Sequence, residues 1–581
     1  MKKIYTAVLA FVLLNVNAQT PFQRVFTVLN SKCQNPTCHS STATDGSETL
    51  KFDGDINATH AAIFKVSSIN ASSIAKHEKL VKPQHPYYSF LLRKIAGAEF
   101  DTDLAIDTAT EGTLMKDIYG NQLSNKEIEY IRQWIMFGAK KTYTTSGLNP
   151  DAQPNWQLVN DFYDSLASNG INRFLSKPTK PAAGTGIQVR MGPIFLPITG
   201  EIEQEYLEQQ ELNFPFLPEV NQIDGYMNNQ SHHFLLFKYI DTAAAVNGNA
   251  PDKNNMKKVT LLGATSFDGD KQLTASWQNT ANLQLPEGTA LFWEQKTILD
   301  MNYHIKNFNA AFVLPTDFYF NVYFKPRNPA TLQMKSELQN HTLGLVIPTG
   351  TSTIDYNDQT NNGALHTRYL WMVAGHTHEW GTDFDLYLRD SLGNVTDKVY
   401  DGKGQATYNG SYYDNVVGSV WDWKHPPIEY WPSLIPVVFG NGNNSGMVSR
   451  ASYNNTTSST LFFSTQTNGE MQLWYYMYTD FPLATATAIN DDQHKGIYFE
   501  VMPNPMNNNG KLVYSLEKTS QVEASVIDIT GKKVAELASE NEVEGLHEIT
   551  IGSGDKLSSG IYFARLSVNG TVYTKKFIVT E

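Results

Sequence analysis

Five of the 14 histidines, one methionine and a pair of cysteines carry most of the chemistry open to this chain. The segment Ala374-Gly375-His376-Thr377-His378-Glu379-Trp380 follows the apolar run from Tyr369 to Val373. If that run continues as a β-strand, residues i and i+2 share a face and both imidazoles address one small volume. Two neutral imidazoles so placed are half of a transition-metal site. Three other places offer nitrogen or soft donors: His232-His233 in Ser231 to Phe237, His304 after Asn302-Tyr303, and Met471 in Asn468 to Tyr475. Adjacent residues of a regular strand point to opposite faces, so His232 and His233 serve one ion only where a bulge or strand end turns one of them. Taken singly, each place is a weak signal, because a lone strand histidine is more often hydrogen-bonded than metal-bound and a methionine is more often core.

The only cysteines, Cys33 and Cys38, lie in Cys33-Gln34-Asn35-Pro36-Thr37-Cys38-His39. Two cysteines are too few for a disulfide scaffold, so the pair has one local task. It forms either a small disulfide loop or a spaced version of the covalent haem attachment signature, with His39 as axial ligand.

These donors need elements to hold them. Ser124-Asn125-Lys126-Glu127 is a capping box, and Ile128, Ile131, Trp134 and Ile135 recur at helical spacing before Gly138. Residues 140–185 are rich in Thr, Ser, Pro, Gly and Ala around a helical Asn155 to Leu175, the pattern of a linker. Beyond 186 the pattern changes to short β-type runs broken by Gly, Asn and Asp, as in Gly186 to Met191 and Phe318 to Phe324. Some 300 residues of this kind imply two antiparallel sandwiches or jelly rolls.

The chain is 581 residues long, enough for about three to five domains. Its 12% aromatic content and 18% charged content favour β-rich exported domains. A net charge of -13 without a basic block argues against nucleic acid as partner. Met1-Lys2-Lys3, the apolar Ala7 to Leu14 and the small-residue site Val16-Asn17-Ala18 form a signal peptide over residues 1–18. No later run approaches the roughly 20 apolar residues of a transmembrane helix.

The order of the donor groups, two histidines, a third, a His-x-His and then Glu-Met in an aromatic strand, resembles the copper type II, ascorbate-dependent monooxygenases. Peptidylglycine alpha-hydroxylating and dopamine beta-monooxygenases belong to that family. The resemblance spans about residues 186–485 and includes His232-His233-Phe234-Leu235-Leu236-Phe237, Trp421-Asp422-Trp423, Tyr430 and Ser452 to Thr456. It implies two copper ions, one on His232, His233 and His304 and the other on His376, His378 and Met471, on facing domains across a solvent-filled cleft. It also implies O2 as co-substrate and hydroxylation of a substrate C-H bond. Tyr475, four residues beyond Met471, is a candidate wall of the substrate pocket. Ala374 stands where the peptide-processing enzyme has a carboxylate-gripping arginine. The N-terminal part, with Leu80 to Pro83, Ser89 to Ile95 and the capped helix, resembles small cytochrome c domains. That likeness implies a haem c on Cys33, Cys38 and His39 with Met115 as second axial ligand, fed by an external electron donor. As a core filler, Met115 would have no such role.

At the C-terminus, Val501-Met502-Pro503-Asn504-Pro505, the turn Asp528 to Lys532, Leu557 to Tyr562 and Lys575-Lys576-Phe577 resemble the sorting tail of type IX secretion cargo. The type IX machinery is then a partner, and the protein ends secreted or on the cell surface.

The expected architecture is mainly β and multidomain. After the signal peptide come a helical cytochrome c-like domain (19–145), a linker with a helix (146–185), two sandwiches (186–345 and 346–490) and an immunoglobulin-like sandwich (497–581). A copper-binding electron-transfer protein, or a non-catalytic β-sandwich binding protein, would satisfy part of the same evidence.

Overall fold

The computed structural model describes residues 20–34, 39–40, 50–115, 123–146, 150–228, 231–240, 256–259, 271–278, 280–309, 311–328, 330–341, 344–358, 365–403, 406–408, 411–413, 420–440, 445–483, 499–502, 504–507, 510–516, 518–552 and 557–580. The signal peptide and Cys38 lie outside these residues. The protein is mainly β, with an N-terminal helical region and several antiparallel sheets.

Four helices organise the N-terminal region: α1 (Pro21–Cys33), α2 (Phe90–Phe100), α3 (Asn125–Met136) and α4 (Trp156–Asn169). The capping box read from the sequence forms at α3, where Ser124 and Glu127 each satisfy the other's backbone N–H. Phe22, Val25 and Leu29 of α1 bury against Ile131, Trp134 and Ile135 of α3. The stretch whose composition marks it as a linker is packed rather than free. Val159 and Phe162 of α4 enter the same core, and Phe162 meets Phe195 of the following β-domain at 5.3 Å. Charges seal the junction: Arg190 reaches Asp101 at 2.5 Å and Asp317 at 2.8 Å, while Arg132 holds Asp101 at 3.1 Å.

The first β-domain contains β1 (Gly186–Leu196), β2 (Glu203–Asn213), β3 (Pro218–Met227), β4 (Ser231–Tyr239), β5 (Lys271–Trp277), β6 (Lys296–Lys306) and β7 (Leu314–Pro326). One sheet runs β1-β7-β3 with short strands beyond, and the other runs β2-β6-β4-β5. Between them Phe234 stacks on Phe318 at 3.7 Å, beside a fully buried Trp277. Each such ring removed from water contributes on the order of 1.5–3 kcal/mol, so packing holds this layer. The second β-domain contains β8 (Lys335–Asn340), β9 (Gly350–Asn357), β10 (His366–His376), β11 (Gly381–Arg389), β12 (Val395–Asp401), β13 (Ile428–Phe439), β14 (Gly446–Asn455) and β15 (Leu473–Thr479). Its sheets are β8-β15-β10-β13 and β9-β14-β11-β12. The strand at Lys335–Asn340 already belongs to this second pair of sheets, so the change of layer falls before residue 335 rather than at 346.

The two β-domains face each other through the β2-β6-β4-β5 sheet and the β8-β15-β10-β13 sheet. This explains an odd burial pattern in β6. Leu299, Met301, Tyr303 and Ile305 fill the first domain's core, yet the alternate Asp300, Asn302 and His304 are just as inaccessible. Their face is covered by the second domain. Trp371, Met372, Tyr475 and Met477 extend the first domain's apolar core across the junction. Strands from 499 to 579 form a last pair of sheets, of three and four strands.

Candidate metal centre

His304 sits on β6, on the face turned toward the second domain, directly opposite His233 of β4. The register shifts between Ser231 and His233, so the strand is irregular at His232, and that irregularity brings the adjacent imidazole into the same space. The irregularity falls at the start of the strand, where a bulge or a strand end was the condition for both imidazoles to serve one ion.

His376 closes β10, whose backbone lies close to β11 at Gly375; a Cβ there would stand 2.3 Å from the Phe384 ring. The strand stops at His376, so period two does not place His378. A turn does, pinned by Glu470. One carboxylate oxygen of Glu470 accepts from the backbone N–H of His378 at 2.9 Å and of Met471 at 3.1 Å, and the other accepts from Trp380 N–H at 2.7 Å. Burial pushes this carboxyl up to about 7 against those hydrogen bonds. Gly381 lets the turn close, because a Cβ would fall 1.9 Å from Thr377 Oγ1.

Together these elements gather His232, His233, His304, His376 and His378 into one buried cluster. The His232 ring lies 5.0 Å from His233, 4.8 Å from His304, 5.4 Å from His376 and 5.7 Å from His378. Ligand atoms within 4.8 Å of one another define two overlapping groups, His232-His233-His304 and His232-His376-His378. The expected arrangement of two triads parted by a solvent-filled cleft is not what the chain forms. A cleft of about 480 Å³ opens between the domains at Glu203, Lys306, Trp380 and Thr467, whereas beside the cluster the sheets close to a cavity of about 30 Å³, lined by Glu205, His233, Ala374, His376, Met471 and Tyr475. That is space for roughly one or two waters. Met471 is buried beside His376, and Tyr475 reaches across to the carbonyl of Thr274 at 3.5 Å.

The donor atoms suit a metal. Nδ1 and Nε2 of His232, Nδ1 of His233 and Nε2 of His376 and His378 are buried without a hydrogen-bond partner. Burial first, then repulsion among the rings, holds His232, His233 and His376 well below the usual histidine range, and His378 falls to about 3. All four are neutral at physiological pH, as ligands must be. Outer contacts fix the rings. His304 Nε2 meets Glu203 at 2.8 Å, His378 Nδ1 meets the Gly469 carbonyl at 3.2 Å, and His376 Nδ1 meets the Gln278 amide at 3.3 Å. Such contacts orient metal-binding imidazoles. Glu203 also accepts from Thr467 N–H at 2.7 Å and from its hydroxyl at 2.6 Å, which ties the first domain to the loop bearing Met471. Burial opposes ionisation of Glu203, but the His304 and Thr467 hydrogen bonds prevail and keep its carboxylate well below the usual range.

Sequence reasoning passed over Glu203, Gln278 and Thr467. Glu203 left a faint signal, since Glu203 and Glu205 share a strand face under period two. Gln278 and Thr467 left none, because their role exists only once two distant domains meet.

The haem residues are less gathered. Cys33 ends α1 and is half-buried, and His39 Nδ1 meets the Leu50 carbonyl at 2.9 Å. Met115 is 42% exposed, with its backbone N–H on the Lys94 carbonyl.

Residues 500–580 match the model of the secretion system C-terminal sorting domain. That type IX signal makes this a secreted or cell-surface protein that engages the secretion machinery. No helix among the described residues is long and apolar enough to cross a membrane. No curated protein matches the chain. Among solved structures, the major capsid protein P2 of bacteriophage PM2 is similar over 50% of this chain and 98% of its own, at 7% identity and a TM-score of 0.22. A tetra-tandem repeat from the extending region of a large adhesion protein is similar over 62% of this chain and 75% of its own, at 12% identity and a TM-score of 0.13. A Ruminococcus gnavus beta-glucuronidase matches 40% of this chain and 35% of its own at 8% identity and a TM-score of 0.10. At these TM-scores none of the three bears on the site.

Proposed function

We propose that the protein is an exported copper-dependent monooxygenase that hydroxylates a C-H bond of an organic substrate. The observation carrying this reading is the cluster of neutral, buried imidazoles with unpartnered nitrogens beside a buried thioether. His232, His233 and His304 would hold one copper, and His376, His378 and Met471 the other, where a thioether favours the reduced ion. Bound copper supplies one-electron transfer and activation of O2. The chain's own residues position and exclude. Glu203 fixes the His304 ring, Glu470 fixes the turn that presents His378 and Met471, and Tyr475 and Ala374 wall the cavity between the domains. With Ala374 in place of an arginine and no cation among the described residues of that wall, an anionic terminus is not the expected substrate.

A c-type haem on Cys33, Cys38 and His39, with Met115 as its second ligand, would take electrons from an external donor at high effective concentration beside the copper domains. The sequence from Cys33 to His39 supports this part of the reading.

A second reading, a copper-binding electron-transfer protein, is favoured by the small volume of the cavity. Oxygen uptake by copper-loaded protein with ascorbate separates the two. Uptake that rises with an added organic substrate and leaves 18O in the product supports the oxygenase, whereas bound copper without such uptake supports the carrier.

A further inference from the structure

His232 is the one imidazole common to both ligand groups. It also differs from the other four in its hydrogen bonding. His376 and His378 each have one ring nitrogen held by Gln278 or Gly469 and the second without a partner, while His304 is held by Glu203 through Nε2. His233 Nε2 lies 3.1 Å from His304 Nδ1. That is close to the spacing of two nitrogens on a single ion with bonds of about 2.0 Å. His232 is 1% exposed, and neither of its ring nitrogens has a partner. A neutral imidazole carries one N–H and one lone pair, so His232 buries both a donor and an acceptor unsatisfied. Each omission is unfavourable in a buried site. One ion at one nitrogen would relieve only half of this.

We infer that His232 bridges two metal ions as an imidazolate, with one nitrogen directed to the ion of His233 and His304 and the other to the ion of His376 and His378. The inference rests on the metal-binding part of the function proposed above. It departs from that reading by joining two independent sites into one coupled centre. On assembly the His232 N–H proton passes to the bulk buffer, two N-metal bonds form on one ring, and no group is oxidised or reduced. The half-buried Trp423, whose ring lies 5.5 Å from that of His232, covers the bridge on the side of residues 421–425. Glu203 and Gln278 supply the cross-domain contacts that keep the two halves in register.

The test uses the full chain loaded with Cu(II), with copper measured by mass spectrometry and unpaired spins counted by low-temperature electron paramagnetic resonance. A bridge predicts two copper ions per chain, a spin count far below two and a half-field transition from the coupled pair. In His232→Ala the coupling disappears and the affinity of both ions falls by about ten-fold or more, while His233→Ala weakens only one. Two ions with two full, independent spins overturn the bridge and leave the copper reading standing. A single ion per chain also overturns it. A chain that takes up no copper refutes the metal reading and the bridge together. Should His232→Ala not fold, the spin count of the unaltered protein decides alone.

Discussion

Replacing Glu470 with alanine tests how the second half of the centre is built. The carboxylate is inaccessible to solvent and accepts from the N–H groups of His378, Trp380 and Met471. Alanine removes both accepting oxygens at once and leaves three donors, two buried and one partly buried, each of which costs about 1–3 kcal/mol when buried and unsatisfied. Water entering the vacated space recovers part of this. The net loss is expected to be about 3–5 kcal/mol, which lowers the midpoint of the second β-domain by on the order of 10 °C. Glutamine keeps one acceptor and should lose about half as much. The damage should also be directional. His378 and Met471 lose their common tether, whereas His233 and His304 keep theirs, so copper retention should fall about 10–100-fold for one ion and little for the other. Calorimetry on the full chain, with a chelator competition for copper, measures both quantities. Unchanged melting and unchanged retention of both ions in Glu470→Ala would show that the turn does not depend on this carboxylate.

Other outcomes follow from the same structure. Arg190→Ala strands Asp317, a fully buried carboxylate, and should cost about 3–5 kcal/mol, seen as the helical region melting apart from the β-domains; one unchanged transition contradicts this. Burial raises the pKa of Glu111, but hydrogen bonds from Arg93 and Lys76 outweigh it and hold the carboxyl down to about 2. Its folded pKa is depressed, so its contribution is present above the free value near 4.5 and is lost as pH falls toward 2; Glu111→Gln should flatten that acid limb of the helical melt. Gly375→Ala drives a methyl group into Phe384 and should cost about 1–3 kcal/mol, partly restored by Phe384→Leu; a neutral single variant would refute the close approach. Deleting residues 500–580 should retain the protein behind the outer membrane with its copper content unchanged, and export of the truncated chain would contradict the role of that segment.

What the sequence disclosed was local. The Ser124 capping box needs only residues three apart, and it is present at α3. Two adjacent ligands can share a face only at a bulge or a strand end, and a register shift lies between Ser231 and His233. In Lys296–Lys306 the alternate residues Asp300, Asn302 and His304 point outward only with respect to their own sandwich. Their burial depends on a second domain whose approach has no sequence period. The same holds for His378, placed by a carboxylate 92 residues away, and for His232, whose membership of both groups requires the sheets to close. The apparent linker misled because its Pro, Gly and Ser content describes the ends of α4, while the apolar stripe inside α4 packs.

Copper analysis of the purified full-length protein addresses the imidazole cluster most directly. Two ions per chain are expected, and a His304→Ala/His378→Ala double variant should lose both while the C-terminal sheets remain folded. Unaltered protein that stays free of copper after loading and desalting would contradict the assignment.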